Sequence, residues 1–243
     1  MTTWAIIPVK PLRYGKSRLS HILTPDERAE LTTRMLHRTL HTLNKVPGIY
    51  RTLVISRDPS ALKLARKHGA YTYGEGDKQE LNLALTRAAH IAAAQEASGV
   101  LIVPADLPLI TVEDIEMMLA GVTPGPPSTR LAAPGSRGNG STLNNNSFNY
   151  HLARNVTICP DKNEDGTNAL YVNPPVGFEF GYGDGSFARH LKQAERLGMP
   201  VRVVHAPGLK FDLDTEDDWN TYLALSGNMA QVSRPLAAQT ADG

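Results

Sequence analysis

The chain has 243 residues, 41 % of them hydrophobic, enough to bury a full core as one α/β domain, expected over residues 1–225. Its 25 Lys and Arg against 24 Asp and Glu leave a formal net charge of +1. That balance argues against general nucleic-acid binding, though not against a local cationic pocket.

No stretch is long and apolar enough to span a bilayer, and no leader-like pattern precedes the first apolar run. A single cysteine, Cys159, excludes an intrachain disulfide, and the cytoplasm is the expected compartment. Short apolar runs then alternate with helical patterns, which predicts a mostly parallel sheet covered by helices. Residues 4–9 (Trp-Ala-Ile-Ile-Pro-Val) are the first strand, and 10–18 a polar, basic loop. Thr24-Pro25-Asp26-Glu27 opens a helix with a capping box and Pro at its first position. Leu31, Met35, Leu36, Leu40 and Leu43 give that helix a buried face, and Pro47-Gly48 stops it.

Residues 52–55 are the second strand, and Leu62, Leu64 and Ala65 belong to a helix ended by Gly69. Residues 82–96 form an Ala- and Leu-rich helix. The continuous apolar run 99–103 suits a central strand buried on both faces. Thr111 caps the next helix. Residues 121–149, rich in Gly, Pro, Ser and Asn, are expected to be a flexible insertion. Segments 156–159 and 169–172 are strands, 186–197 a helix closed by Gly198, 201–204 a late strand, 216–225 the last helix, and 226–243 a frayed tail.

Ligands of open α/β sheets bind beyond the carboxyl ends of the strands, and four polar clusters fall at such ends. Lys10 with Lys16-Ser17-Arg18 makes a cradle for a triphosphate; taken alone it is a solvated basic turn, and it is not a Walker A loop. Asp106, directly after the buried 99–103 run, is placed to hold Mg²⁺, which takes one or two carboxylates and completes its shell from phosphate and water. Residues 211–217 are expected to form a short strand running into a helix. Only one of its two aspartates is expected to face the site, Asp214 ahead of Asp212, while Glu216 and Asp217 serve the helix dipole. Gly166-Thr167-Asn168 and Gly183-Asp184-Gly185-Ser186 offer glycines and a helix N-terminus to an anion; singly, each is also ordinary turn and cap chemistry. Asn82 suits a guanine or ribose contact or a helix cap, and His190 is expected to pack against the sheet.

These pieces together resemble the 2-phospho-L-lactate and phosphoenolpyruvate guanylyltransferases of coenzyme F420 biosynthesis. The residues that carry the resemblance are Ile7-Pro8-Val9-Lys10, Lys16-Ser17-Arg18-Leu19 with Glu27-Arg28, and residues 81–85. They continue with Asp106-Leu107-Pro108, Pro160-Asp161 with residues 166–170, Gly183 with Ser186-Phe187 and His190, and Asp212-Leu213-Asp214-Thr215. The resemblance implies a nucleotide-diphospho-sugar-transferase-like fold, a three-layer α/β/α sandwich. It implies GTP and Mg²⁺ as requirements, diphosphate as the leaving group, and an acceptor that is a small phosphorylated three-carbon acid. Phosphoenolpyruvate is favoured over 2-phospho-L-lactate, with 3-phospho-D-glycerate as a third choice.

By resemblance, Thr167, Gly183 and Ser186 hold the acid, and Asp106 with an aspartate of the Asp212/Asp214 pair holds the metal. The implied partners are these two substrates alone, without nucleic acid or membrane, and a homodimer is compatible. The insertion at 121–149 departs from the family and precedes the Thr167 segment. Two alternatives stand beside this: a molybdopterin guanylyltransferase-like enzyme, whose first loop is usually Gly-Gly-rich where this chain has residues 10–15 (Lys-Pro-Leu-Arg-Tyr-Gly), and a non-catalytic GTP-binding module.

Overall fold

The computed structural model describes residues 2–75, 80–120 and 154–226. The expected insertion and almost all of the expected tail lie outside the described residues. The first strand, β1 (Thr3–Pro8), is followed by a loop with two 3-10 turns at 12–14 and 17–19, and by helix α1 (Pro25–Leu43). The capping box of α1 forms as expected. Thr24 Oγ1 accepts the Glu27 N–H at 3.3 Å, and the Thr24 N–H donates to Glu27 Oε2 at 2.8 Å. The predicted face of α1 is buried at all five leucine and methionine positions. Then come β2 (Ile49–Ser56), α2 (Pro59–Lys67), β3 (Tyr71–Gly74), α3 (Leu81–Ala94), β4 (Gly99–Ile102) and α4 (Val112–Leu119). The rest are β5 (Asn155–Pro160), β6 (Thr167–Asn173), α5 (Ser186–Arg196), β7 (Val201–Val203), α6 (Pro207–Lys210) and α7 (Glu216–Ser226).

The seven strands make one sheet in the order β3-β2-β1-β4-β6-β5-β7. Alternate residues of the central strands feed two separate cores. Ala5, Ile7, Val54 and Leu101 pack with Leu36, Leu40, Ile115 and Leu209 of α1, α4 and α6. Trp4, Ile6, Ile55 and Ile102 pack with Leu85, Ala88, Ala92 and Ala194 of α3 and α5. Both faces of the sheet are therefore covered, which explains why the strands are continuous apolar runs. The result is the expected three-layer α/β/α sandwich.

The sheet is parallel except at β6, which runs antiparallel to both β4 and β5. This reversal positions the site. The register pairs Val100 with Val172, Leu101 with Tyr171 and Ile102 with Leu170. Extended past the last pair, it sets Asn168 opposite Pro104 and Thr167 opposite Ala105, the residue before Asp106. The carboxyl ends of β1 to β4 and the amino end of β6 thus share one edge.

One element departs from expectation. Residues 211–214 form no strand; they run as irregular backbone pinned by the Leu213 N–H to the Asp106 carbonyl at 3.2 Å. Leu213 is fully buried with Leu19, Leu31 and Met35, which draws the aspartates on either side of it to the sheet edge.

Candidate active site

The basic loop after β1 is held by its own turns and by Asp58, whose carboxylate accepts the Leu12 N–H at 2.8 Å. At its centre Lys16 adopts a left-handed backbone, φ 54°, a conformation that side-chain-bearing residues seldom take. It directs a long side chain inward: Lys16 is only 8 % exposed, and its Nζ lies 3.1 Å from Asp106 Oδ2 and 3.9 Å from Asp214 Oδ1. The strain belongs with an ammonium fixed against two carboxylates at a sheet edge. Arg18 Nη1 donates to Asp214 Oδ2 at 2.9 Å from a largely exposed side chain. Ser17 opens the second 3-10 turn.

Of the two aspartates of the 212–214 segment, Asp214 lines the cavity and Asp212 does not, in the order expected. The reason is not strand alternation, since residues two apart share a face even on a strand and no strand forms here. Asp214 contacts Lys16 and Arg18 directly. Burial pushes the Asp212 carboxyl up, and the charge of Asp106 adds to this while Lys16 opposes it. Among the described residues no group of three or more His, Cys, Asp or Glu is arranged to hold a metal alone. Two pocket-facing carboxylates are a donor set for a hard cation that arrives with substrate phosphates.

Lys16, Asp106 and Asp214 line a cavity of about 240 Å³ at the carboxyl edge of the sheet. Pro8, Val9 and Lys10, at the end of β1, also line it, as do Glu75 and Leu81, which lie after β3 and at the start of α3. Burial pushes the Glu75 carboxyl up, against the neighbouring Arg57 charge. Nothing in the sequence marked Glu75: it follows a short edge strand with no apolar pattern.

Thr167, Gly183 and Ser186 come together at the start of β6 and α5, and none of the three is among the residues lining this cavity. Asp165 ties the two segments, its Oδ2 accepting the Gly185 N–H at 2.9 Å and its carbonyl the Phe187 N–H at 3.0 Å. Gly183 and Gly185 have φ of 113° and 67°, which suits glycine and lets the loop turn sharply into α5. The expected amide nest is corrected in part. The N–H groups of Gly185 and Phe187 are taken by Asp165 and that of Ser186 by the Gly183 carbonyl, so side-chain hydroxyls carry more of any anion contact. The residue capping α5 is Gly185, not Ser186.

Asn82 is not the cap of α3 either; Glu80 holds that position. Both ends of the Asn82 amide engage the Tyr182 backbone, accepting its N–H at 2.7 Å and donating to its carbonyl at 3.4 Å. It fixes the glycine loop rather than lining the cavity. His190 is buried as expected, but it is more than packing: its ring bonds both Thr167 and Gly181.

A doubly covered, mostly parallel sheet, with a cationic loop and aspartates at its carboxyl edge, defines a nucleotidyltransferase of the nucleotide-diphospho-sugar-transferase fold. A putative nucleotide-diphospho-sugar transferase from Desulfovibrio desulfuricans G20 superposes with a TM-score of 0.63 at 14 % identity, covering 95 % of this chain and 90 % of that one. The chain belongs to the family described as guanylyl transferase CofC like, whose model matches residues 3–144 and 139–234. The phosphoenolpyruvate guanylyltransferase of Rubrobacter xylanophilus is 38 % identical over 221 residues, 90 % of this chain and 92 % of the relative. That of Sphaerobacter thermophilus is 34 % identical, covering 90 % and 91 %. The 2-phospho-L-lactate guanylyltransferase of Methanothermobacter thermautotrophicus is 30 % identical, covering 90 % and 82 %.

Proposed function

We propose that this protein transfers GMP from GTP to phosphoenolpyruvate, releasing diphosphate, as a step in making coenzyme F420. The observation that carries the reading is the buried Lys16 ammonium set against Asp106 and Asp214 in a cavity at the sheet edge. An acceptor phosphate oxygen attacks the α-phosphorus in line. A new P–O bond forms, the bond to the β-phosphate bridging oxygen breaks, and the electron pair leaves with diphosphate. The acceptor is already an anion, so no general base is required.

The difficulty is the approach of two anions, and the chain meets it with charge. Lys10, Lys16 and Arg18, with the Ser17 hydroxyl, hold the triphosphate and stabilise the leaving group. Asp106 and Asp214 would hold Mg²⁺, with Asp212 beside them. When bound there, such an ion would add charge neutralisation at the transferring phosphorus. Thr167, Gly183 and Ser186 hold the acid, and Asn82 keeps their loop in place.

The base then lies toward β3. Glu75 is the acceptor that guanine needs there, since the N1–H and the 2-amino group offer two donors to one carboxylate, whereas adenine presents a lone pair at N1. Glu75→Gln should lower affinity for GTP by on the order of tenfold and erase the preference for GTP over ITP, as titration calorimetry would read. An unchanged GTP-to-ITP ratio removes Glu75 from base recognition.

All substrates are water-soluble, and no helix of the described residues is long and apolar enough to cross a membrane, so the cytoplasm is the proposed setting. The acceptor is tested by competition. Phosphoenolpyruvate, 2-phospho-L-lactate and 3-phospho-D-glycerate are mixed with limiting GTP and the products weighed by mass spectrometry. The guanylylated phosphoenolpyruvate should dominate, and a dominant product from either other acid overturns the choice.

A further inference from the structure

His190 makes two polar contacts that together fix where its proton sits. The ring is 1 % exposed, on the first turns of α5. The Gly181 N–H points at Nε2 from 3.0 Å, and Nδ1 lies 3.0 Å from Thr167 Oγ1. A backbone amide only donates, so Nε2 must present its lone pair. In a neutral imidazole the single proton is then on Nδ1. The ring is neutral near pH 7, because burial, aided by the Arg189 charge, pushes it down to about 4. Thr167 Oγ1 therefore accepts from Nδ1–H, and the hydrogen of the threonine hydroxyl is not used by the ring.

We infer that His190 is a positioning residue: locked as the Nδ1–H tautomer by the Gly181 amide, it turns the Thr167 hydroxyl so that its hydrogen is offered to an anionic oxygen of the acceptor acid. This rests on the reading that Thr167 touches the acceptor. The contact matters more here than in an ordinary helix-end anion site, because the amides of Gly185, Ser186 and Phe187 are already engaged within the protein. A ring that served only to pack against Phe178 and Tyr182, 5.9 and 4.9 Å away between ring centres, would need neither polar contact. The link also joins the two acceptor segments, since Gly181 leads into the glycine loop and Thr167 opens β6.

Two replacements separate orientation from packing. In His190→Asn the amide nitrogen falls near the place of Nδ1 and still donates to Thr167. In His190→Gln the amide reaches instead toward the place of Nε2 and leaves Thr167 unoriented. With the full chain, kcat and KM are measured for phosphoenolpyruvate and for GTP, alone and in a Thr167→Val background. His190→Gln should lower kcat/KM for the acid by on the order of tenfold and move the KM for GTP by less than about twofold. His190→Asn should stay within about threefold of wild type. In the Thr167→Val background His190→Gln should add little further loss, since the group it orients is gone.

Equal losses from Asn and Gln, or the same loss from Gln in both backgrounds, would reduce His190 to packing. Should a variant fail to fold, ¹⁵N spectra of the wild-type histidine rings decide alone: protonated Nδ1 with bare Nε2 supports the inference, and the other tautomer overturns it. Absence of product from wild type with any of the three acids would instead sink the functional reading, an outcome the tautomer measurement does not share.

Discussion

Lys16 joins an unfavourable backbone conformation, near-complete burial and two carboxylate neighbours, a combination that stability alone does not favour. Its removal leaves Asp106 and Asp214 facing each other without the ammonium. Lys16→Ala should therefore cut kcat by on the order of a hundredfold, whereas the exposed Arg18→Ala should cost only several-fold. Steady-state kinetics on the two purified variants checks the ranking, and equal effects would contradict it. Asp106→Asn should lower turnover by on the order of a hundredfold or more with an unchanged far-UV spectrum, because an amide keeps the shape and loses the charge. Near-normal turnover at ordinary Mg²⁺ would remove Asp106 from the metal site. Lys16 and Asp106 were legible because each follows an apolar strand. Glu75 was not, for it stands after four residues with no apolar alternation, and the polar work of His190 was hidden because helical spacing shows where a side chain points but not what it meets.

At the scale of elements, α7 is fastened to the sheet edge through Asp218. Its carboxylate accepts from the Thr215 hydroxyl at 2.7 Å and from the N–H groups of Thr215 and Asp214 at 2.8 and 3.1 Å, and it pairs with Lys162 from the loop before β6. Burial opposes its ionisation, but Lys162, Thr215 and these amides outweigh burial and hold the carboxyl at about 2, below the ordinary 3.8. A carboxyl lowered on folding contributes stability that is present above its unfolded value and lost as pH falls through the folded one. That contribution is about 2 kcal/mol and should disappear between roughly pH 4 and pH 2. His190, buried neutral, acts in a higher window: the unfolded chain gains its proton from the ordinary 6.5 downward and the folded chain only near 4, so stability declines across that interval. Denaturant melts against pH should show both declines in wild type and a clearly shallower acid limb in Asp218→Asn; an unaltered acid limb in the variant would contradict the assignment.

The elements with strong apolar periods were legible in the sequence, α1 with its capping box above all. The edge strand β3 and the four-residue α6 were missed, since neither has a periodic buried face. The strand expected at 211–214 was misplaced because one buried leucine between two aspartates looks like alternation but is here a single anchor. The reversal of β6 was not legible either, because strand direction depends on which neighbour a strand finds and leaves no mark on its composition.

Across the whole molecule the site is laid out along one edge of the sheet. Glu75 stands after β3, Pro8 to Lys10 at the end of β1, Lys16 with Asp106 and Asp214 beyond β4, and Thr167 at the start of β6. With strands about 4.8 Å apart, β3 and β4, three positions apart in the sheet, are separated by roughly 14 Å. That is a span suited to the proposed placement of the nucleotide, base toward β3 and phosphates toward β4. The order was legible in outline, since the strand-end clusters were visible, but the direction in which Thr167 enters the sheet, toward the segment that leads to Asp106, came only with the antiparallel pairing.

This arrangement has one direct consequence for the chemistry, namely which phosphorus moves. Wild-type protein is incubated with Mg²⁺, phosphoenolpyruvate and GTP carrying ³²P at the α position, and in a parallel reaction at the γ position. The α-label should enter an adduct with the mass of guanylylated acid, and the γ-label should leave only as diphosphate in equal amount. Label passing from the γ position to the acid, or GTP remaining intact with every candidate acid, would contradict it.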